Sequence, residues 1–334
     1  MKLVRTIVFT LLFVVVVAIY LFQARLAKQA LAIIPDEVNR SVVITQDDVI
    51  DRITLVDHVQ KTQIELRKEN GAWVLKVPVH YPAESRIVDG LAVVARVASR
   101  QPRLRAEKEW AEYGLAKPEL EITFNLAGKK EVTLSIGAQA PVGKAVFARW
   151  GDERGYFLLP PEMRSAFRQS VYGLREKRLF RNPPETFQKI TIEMGERSVQ
   201  WKKDGGSWYW LEPIMKFGQK IPAAQMDAML VVLQNLYVKE FQDNNKKSKA
   251  ELGFFVIHDR IRIESEGGKT ETFYFGNEVP DRNAYYGLRE GEDTVFFVER
   301  GKAIELFDVI KKIQAEKPSS KVQDPRLEMG RFFS

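Results

Sequence analysis

The sequence predicts an α+β protein that consists of two tandem modules, each an antiparallel sheet covered by helices, preceded by one N-terminal transmembrane helix. Two observations predict the modules. A strand–glycine turn–strand pattern occurs twice, and each copy is followed by an amphipathic helix and further short strands. A third observation, an uncharged apolar run near the start of the chain, predicts the membrane helix. The length of 334 residues agrees with two domains.

The apolar run extends from Thr6 to Phe22 and contains no charged residue. As a helix it would span about 25 Å, close to the ~30 Å hydrocarbon core of a bilayer. Lys2 and Arg5 before it favour a cytoplasmic N-terminus, which would place the body on the periplasmic or extracellular side of the cytoplasmic membrane. The alternative is a cleaved signal peptide, because residues 30–32 form an A-x-A pattern. We favour an anchor because the run exceeds the usual length of about 7–15 residues.

The net charge of +7 lies at the two ends of the chain. Residues 1–28 carry a net charge of +4 and residues 311–334 carry +3, so the body between them is neutral. A nucleic-acid-binding protein needs a basic face on its folded body. The sequence therefore predicts no nucleic-acid partner, and the charges fit a membrane-flanking segment and a basic, flexible tail over 314–334.

Two hairpins mark the beginnings of the modules. Residues 63–75 read QIELRKENGAWVL, and residues 198–211 read SVQWKKDGGSWYWL. The Asn-Gly and Gly-Gly pairs supply the positive φ angles that two-residue hairpin turns require. We expect Trp73, Trp201 and Trp208, which lie among aliphatic residues on these strands, to pack in the cores of the sheets.

Each hairpin is followed by a segment with helical periodicity, over 84–99 in the first half and 224–238 in the second. Apolar residues recur at i, i+4 and i+7 in both segments, which predicts a buried stripe on each helix. The stripe residues are Ile87, Leu91 and Val94 in the first helix, and Met226, Leu230 and Leu233 in the second.

The remainder of each half contains four strand-like segments and a closing helix, and here the two halves align without a gap at a constant offset. Ser135–Pro141 matches Tyr274–Pro280, and Gly114 matches Gly253. Agreement in order, spacing and residue type predicts an internal duplication. The predicted divisions are an anchor (1–28), a linker (29–49), a first module (50–182), a second module (183–313) and the tail (314–334).

The composition argues against catalysis. The chain has no cysteine, which excludes disulfides and thiolate chemistry, and its three histidines are far apart in the sequence. The segment Glu266–Thr270 contains the GKT of a phosphate loop but lacks the first glycine of that motif, so we expect a hairpin turn there. We predict no enzymatic activity, no catalytic residue, no cofactor and no metal site.

Five residues are candidates for a partner-binding surface. Trp110 and Tyr113 precede a glycine in a short connecting segment, where the pattern does not commit their rings to a core. Lys246, Lys247 and Lys249 form a basic loop in the second half, suited either to solvation or to an acidic partner.

Several motifs together resemble a bacterial family, the domain of unknown function 4340. They are GAWVL in the first hairpin, Tyr113-Gly-Leu-Ala-Lys-Pro118 leading into ELEITF, and the later IG and YFLL segments. The resemblance covers most of residues 50–310, although the second half keeps only Glu251-Leu-Gly-Phe254 of the glycine motif. The family has no established activity. The resemblance implies an envelope protein, often found beside ABC-type export or gliding-motility-like components.

These observations predict a non-enzymatic, membrane-anchored accessory protein of the cell envelope. It would bind or position a partner such as an ABC-type transporter or another envelope protein. One alternative is a ligand or lipid carrier that uses a groove between the modules. A second alternative is a carboxylate-dependent hydrolase of envelope polymers, which would require acidic side chains that converge in one pocket.

Overall fold

The computed structural model describes residues 42–128, 131–195, 197–254 and 259–315. The predicted anchor over 6–22, the first part of the linker and nearly all of the predicted tail lie outside these residues. None of the helices in the described part of the chain has the length and apolar character needed to cross a membrane. The chain divides into two compact units, and the division falls between Glu176 and Lys177.

The first unit contains a nine-stranded antiparallel sheet with the strand order β4-β3-β2-β1-β6-β7-β8-β9-β5. Its strands are β1 (Ile50–Asp57), β2 (Thr62–Glu69), β3 (Ala72–Val77), β4 (Tyr81–Pro82), β5 (Leu104–Arg105), β6 (Leu120–Leu126), β7 (Val132–Gln139), β8 (Val146–Trp150) and β9 (Gly155–Leu159). Its helices are α1 (Ser85–Ser99), α2 (Pro161–Phe167) and the short α3 (Val171–Leu174).

The second unit contains an eight-stranded antiparallel sheet with the order β12-β11-β10-β14-β15-β16-β17-β13. Its strands are β10 (Phe187–Met194), β11 (Arg197–Asp204), β12 (Ser207–Glu212), β13 (Val238–Phe241), β14 (Arg260–Ser265), β15 (Thr270–Val279), β16 (Ala284–Arg289) and β17 (Val295–Glu299). Its α-helices are α4 (Ala223–Gln234) and α5 (Arg300–Ala315), and a 3-10 turn at Glu266–Gly268 joins β14 to β15.

The two sheets have the same strand order once the two-residue β4 is set aside. The predicted α+β class, with two antiparallel sheets and helices, is therefore confirmed. Both predicted hairpins are present, and their turn residues Asn70, Gly71, Gly205 and Gly206 all have positive φ angles. The segment that resembles a phosphate loop is a hairpin turn, as predicted.

Each unit has its own hydrophobic core, formed by alternate residues of the strands and by the helices. Burial alternates along β6 and β8, and along β1 from Ile53 onward, which is the pattern of strands with one covered face. The expectation for the tryptophans is confirmed, because Trp73, Trp201 and Trp208 are all buried in these cores. The indole of Trp73 also donates a 2.8 Å hydrogen bond to the Asp89 carboxylate on α1.

The buried face of α1 differs from the predicted stripe by about one residue. Leu91 is buried as expected, but Ile87 and Val94 are only partly buried, and the helix buries Val88 and Ala95 instead. The segment offers two adjacent apolar stripes, and periodicity cannot choose between them. The second helix, α4, ends at Gln234 rather than near residue 238, because Val238 begins strand β13.

The described end of the predicted linker packs on the first unit. Ile44 is fully buried in the first core, and the Ser99 hydroxyl donates a 3.0 Å hydrogen bond to its carbonyl oxygen. The Arg96 guanidinium donates to the Asp48 carbonyl oxygen at 2.9 Å. Residues 42–49 are thus a fixed part of the unit.

The boundary between the units lies six residues before the expected one. The Leu179 backbone N–H donates to the Leu236 carbonyl at 3.0 Å, and the Val238 N–H donates to the Lys177 carbonyl at 2.8 Å. Phe180 is buried in the second core. These contacts attach residues 177–182 to the second unit, although Pro183 and Pro184 resemble a linker in the sequence.

Candidate partner-binding turns

The five candidate residues lie in two corresponding turns, one in each unit. We call residues 107–115 the first-unit turn and residues 246–254 the second-unit turn; they occupy matching positions in the alignment of the two halves. Both turns close with the same backbone hydrogen bonds, so the two segments share a local fold. These bonds run from Leu115 N to Trp110 O (2.9 Å) and from Gly114 N to Ala111 O (3.0 Å), and from Phe254 N to Lys249 O (2.8 Å) and from Gly253 N to Ala250 O (3.0 Å).

A pair of glycines holds the first-unit turn against its sheet. Gly114 has a φ of +68°, and a Cβ atom there would lie 2.6 Å from the backbone nitrogen of Ala138. A Cβ atom on Gly137, in β7, would lie closer than 3.0 Å to the carbonyl oxygen of Tyr113. That carbonyl accepts a 2.9 Å hydrogen bond from the Ala138 N–H. The two backbones are in contact, and only glycine leaves room for this approach.

A pair of glycines also holds the second-unit turn against its sheet. Gly253 has a φ of +88°, and a Cβ atom there would lie 2.7 Å from the backbone nitrogen of Asn277. A Cβ atom on Gly276 would lie closer than 3.0 Å to the Leu252 carbonyl oxygen, which accepts a 2.8 Å hydrogen bond from Asn277 N–H. The glycines that carry the family resemblance are therefore structural, because they dock a turn onto a strand.

Tyr113, whose place the sequence pattern left open, is a packing residue. It is buried, and its ring centroid lies 5.0 Å from that of Phe147 and 4.7 Å from that of Tyr156. Its hydroxyl accepts a 3.2 Å hydrogen bond from the Glu107 N–H. Burial raises the pKa of Tyr156, and the neighbouring Tyr113 and Glu107 add to this effect. The rings of Tyr113, Phe147 and Tyr156 form an aromatic cluster on the face of β8 and β9 that lies opposite the main core.

Trp110 is partly exposed and lies at the edge of this cluster. The guanidinium carbon of Arg149 lies 4.6 Å from the centroid of the Trp110 ring, which is a cation–π contact. The centroid of the Tyr113 ring lies 6.0 Å from that of Trp110. Trp110 is therefore held by two side-chain contacts while part of its surface stays accessible.

The three lysines of the second-unit turn are exposed. The Lys249 ammonium lies 3.1 Å from the carboxylate of Asp293. The backbone of the turn is fixed by Glu251, whose carboxylate accepts hydrogen bonds from the N–H and the hydroxyl of Ser248, both at 2.8 Å. These bonds, and the charge of Lys247, hold the pKa of Glu251 below its ordinary value. The three exposed lysines therefore extend from a backbone that hydrogen bonds hold in place.

The two turns carry opposite charge. The first-unit turn has three glutamates and one lysine, a net charge of −2, whereas the second-unit turn has three lysines and one glutamate, a net charge of +2. In the first-unit turn the Lys108 ammonium lies 2.8 Å from the Glu112 carboxylate, and this contact raises the pKa of Lys108. One backbone structure thus displays two different surfaces.

Sequence reasoning missed a cluster of ion pairs in the first unit, which we call the ionic cluster (Asp57, Glu119, Arg164 and Arg168). The Asp57 side chain is only 9% exposed, and Arg168 lies 3.1 Å from it and 3.2 Å from Glu119. Arg164 also forms an ion pair with Glu119. A shallow cleft beside the cluster is lined by residues that include Thr62 and Phe167. No local signal could reveal these pairs, because their members come from distant segments.

The histidines are not brought together in the described part of the chain. The His58 ring nitrogen lies 2.8 Å from the Glu121 carboxylate at the surface, and His258 lies outside the described residues. Among the described residues, no group of three or more histidine, aspartate or glutamate side chains could hold a metal ion.

The fold and its turns define a two-unit α+β protein in which each sheet carries a glycine-docked turn. The family model described as a domain of unknown function (DUF4340) matches residues 73–254 and residues 216–323. The chain belongs to this family, as the sequence motifs predicted. Both glycine pairs lie in the matched segments. No curated protein and no solved structure matches the chain.

Proposed function

We propose that the protein is a non-enzymatic, membrane-anchored accessory protein of the bacterial cell envelope. It binds or positions a partner, such as a component of an ABC-type export or gliding-like system, through its two turns. The observation that carries the proposal is the reuse of one backbone turn with opposite charges, −2 in the first unit and +2 in the second. Complementary charge steers association and selects partners, and a fixed backbone lowers the entropy lost on binding.

We also propose that the two units are copies of one module. The shared strand order supports this, as do the two glycine pairs, which occupy matching positions in the aligned halves. Duplication followed by divergence of the exposed turns would produce one chain with two binding surfaces.

The membrane anchor and the periplasmic or extracellular location of the body are part of the proposal. They rest on the uncharged run over 6–22 and on the cations before it. The test is fractionation of cells that express the full chain or a chain that lacks residues 1–28. We expect only the full chain to stay in membranes after alkaline extraction, with its first residues intact. A mature chain that begins near Ile33 would contradict the anchor.

We propose that the protein is not an enzyme, because the nearly buried carboxylate of Asp57 is engaged in structural contacts. A hydrolase of envelope polymers needs an acid with a raised pKa that faces a second carboxylate. Asp57, which lines the described cleft, instead has Arg168 at 3.1 Å and accepts hydrogen bonds from the N–H groups of Val59 and Gln60. The Asp57 carboxylate is therefore engaged by its own turn and by Arg168, which is the environment of a structural group.

The partner is tested by photo-crosslinking in native membranes of the source bacterium, with a crosslinking residue in the full chain at position 109 of the first-unit turn or at position 245, directly before the second-unit turn. We expect both positions to yield a defined product with a membrane or envelope protein. The substitutions Lys246→Glu and Lys247→Glu together should reduce the product from position 245 by about tenfold, because like charges would then meet.

The matched control is Lys269→Glu, a charge reversal at an exposed position of the same unit in the turn before β15. It should leave both products unchanged. Equal products from the control and from the reversed turn, or no product from either turn, would overturn the assignment of the turns as binding surfaces.

A further inference from the structure

The second unit carries an exposed apolar loop that the first unit lacks. After β12 the chain forms a 3-10 turn over Ile214–Lys216. The side chains at its tip are among the most exposed large apolar residues of the described chain: Ile214 is 74% exposed and Met215 is 88% exposed. A single exposed apolar residue is ordinary, but two adjacent ones at the tip of a loop indicate a contact surface. We call residues 213–219 the apolar loop.

The apolar loop is an insertion into a connection that both units share. In the first unit the Ala83 N–H donates to the Trp73 carbonyl at 2.9 Å, and in the second unit the Ile221 N–H donates to the Trp208 carbonyl at 2.8 Å. The stretch between the bonded residues is longer in the second unit than in the first. The shorter connection covers the edge of its sheet, so the additional residues are not needed to close the fold.

The base of the apolar loop is fixed while its tip projects. The Gly218 N–H donates to the Trp210 carbonyl at 2.9 Å, and the Trp210 N–H donates to the Gln219 carbonyl at 3.0 Å. The Lys216 ammonium lies 4.9 Å from the centroid of the Trp210 ring and donates a hydrogen bond to the Gln314 carbonyl. These contacts hold the loop away from its own core, so that its apolar tip faces solvent.

The two segments that meet at the base of the apolar loop are rich in lysine. Residues 213–220 contain Lys216 and Lys220 and no acidic residue. The bond from Lys216 to Gln314 places the end of α5 beside the loop, and residues 309–315 add Lys311 and Lys312, again without an acid. Lys311 lies 3.7 Å from Asp308 one turn earlier, in a pair that is exposed on both sides. With the bordering Glu212 and Asp308 included, the two segments still carry a net charge of +2.

We propose that the apolar loop inserts into the surface of an anionic lipid bilayer, with Ile214 and Met215 below the headgroups and the lysines at the phosphates. An apolar tip within a group of cations is the combination that peripheral membrane binding uses, because apolar burial and attraction to anionic lipid add together. The inference goes beyond the proposed function, since it assigns a second membrane contact that requires no protein partner. It rests on that function only in that the anchor would keep this unit near a bilayer.

The absence of cysteine from the chain makes a direct test available. The full chain with Met215→Cys, labelled with an environment-sensitive fluorophore, is reconstituted into vesicles of phosphatidylcholine with about 30% phosphatidylglycerol. We expect a blue-shifted emission that nitroxide-labelled lipids quench at least about threefold more strongly than in vesicles of phosphatidylcholine alone. The matched control is Val142→Cys, which is equally exposed at 88% but lies in the first unit; its label should remain in water.

A charge reversal separates lipid recognition from simple exposure. Lys220→Glu combined with Lys312→Glu should remove most of the quenching in anionic vesicles, because the new carboxylates are repelled by anionic lipid. Both side chains are exposed and neither belongs to a core, so the double variant should still fold. The inference is overturned if the label at position 215 is as accessible to water as the label at 142, or if the charge reversal has no effect. A label that is already shielded in detergent without lipid would also overturn it, since that result would indicate a protein contact. The anchor retains every variant on the vesicles, so none of these results depends on the proposed partner.

Discussion

The two units differ in the side chains that they place at the end of the first strand and at the closing helix. In the first unit Asp57 ends β1 and pairs with Arg168, directly after α2. In the second unit the corresponding residues are Met194 and Phe307, and both pack against the second core. The helices correspond because Phe167 and Leu306, which align with each other, are both buried. An ion pair in the first unit and two apolar side chains that pack on the core in the second unit therefore occupy corresponding positions.

This difference shows that the topology does not depend on the ionic cluster. A partly buried ion pair gains Coulombic energy but loses hydration, so that apolar side chains of similar size stabilise a protein about as well. The glycine pairs, in contrast, are present in both units, because no other residue allows the turn and the strand to approach so closely. We therefore expect the fold to tolerate replacement of the ionic cluster better than replacement of the paired glycines.

The largest effect is expected at the glycine pairs. Gly137→Ala and Gly276→Ala each place a methyl group against a backbone carbonyl oxygen, which must separate the turn from the sheet. We expect each to lower the free energy of unfolding of its own unit by about 3 kcal/mol, measured by urea titration with one transition fitted per unit. The matched control is Gly71→Ala, with positive φ but open space around it, for which we expect about 1 kcal/mol. Equal losses at Gly71 and Gly137 would contradict the close-contact explanation.

The next effect concerns the ionic cluster. Arg168→Phe alone leaves the nearly buried Asp57 carboxylate without its cation and should destabilise the first unit by about 2 kcal/mol. The double substitution Asp57→Met and Arg168→Phe introduces the residue types found at the corresponding positions of the second unit and should recover the loss to within about 1 kcal/mol. The same urea titration measures both variants. If the double variant were less stable than Arg168→Phe, the two sites would not be equivalent.

A smaller effect, of opposite sign, is expected in helix α1. Gly90 lies within the helix with open space around its Cα atom, whereas the corresponding part of α4 contains Ala228. Gly90→Ala should stabilise the first unit by about 0.5–1 kcal/mol, because glycine loses more backbone entropy on folding. A shift of the first transition to lower urea concentration would show that the position is more crowded than it is in the structure.

The smallest effect distinguishes the two turns by pH. The pKa of Glu251 is lowered, so its contribution to the second-unit turn is present above the ordinary glutamate pKa and is lost as the pH falls through the lowered value. The pKa of Lys108 is raised, so its contribution to the first-unit turn is present below the ordinary lysine pKa and is lost as the pH rises through the raised value. NMR titration of the Ser248 and Glu112 amides measures the two responses. Identical pH windows for the two amides would contradict this assignment.

Much of the architecture could be predicted because its signals are local. The hairpins were recognisable from Asn-Gly and Gly-Gly turns, and the correspondence between the halves from a constant offset in the sequence. The exposure of the five candidate residues could be predicted only in part. Trp110 and the three lysines are accessible, but Tyr113 is buried, because its burial depends on Phe147 and Tyr156, which lie in strands far from it along the chain.

The sequence by itself determined the order of the elements, the turn types and the family, since these depend on neighbouring residues, on periodicity and on the φ angles that glycine permits. Only the tertiary structure decided which face of α1 is buried, that Gly114 meets Gly137, and that residues 177–182 belong to the second unit. The physical reason is that these features are contacts between distant segments, and the register of paired strands sets which atoms meet.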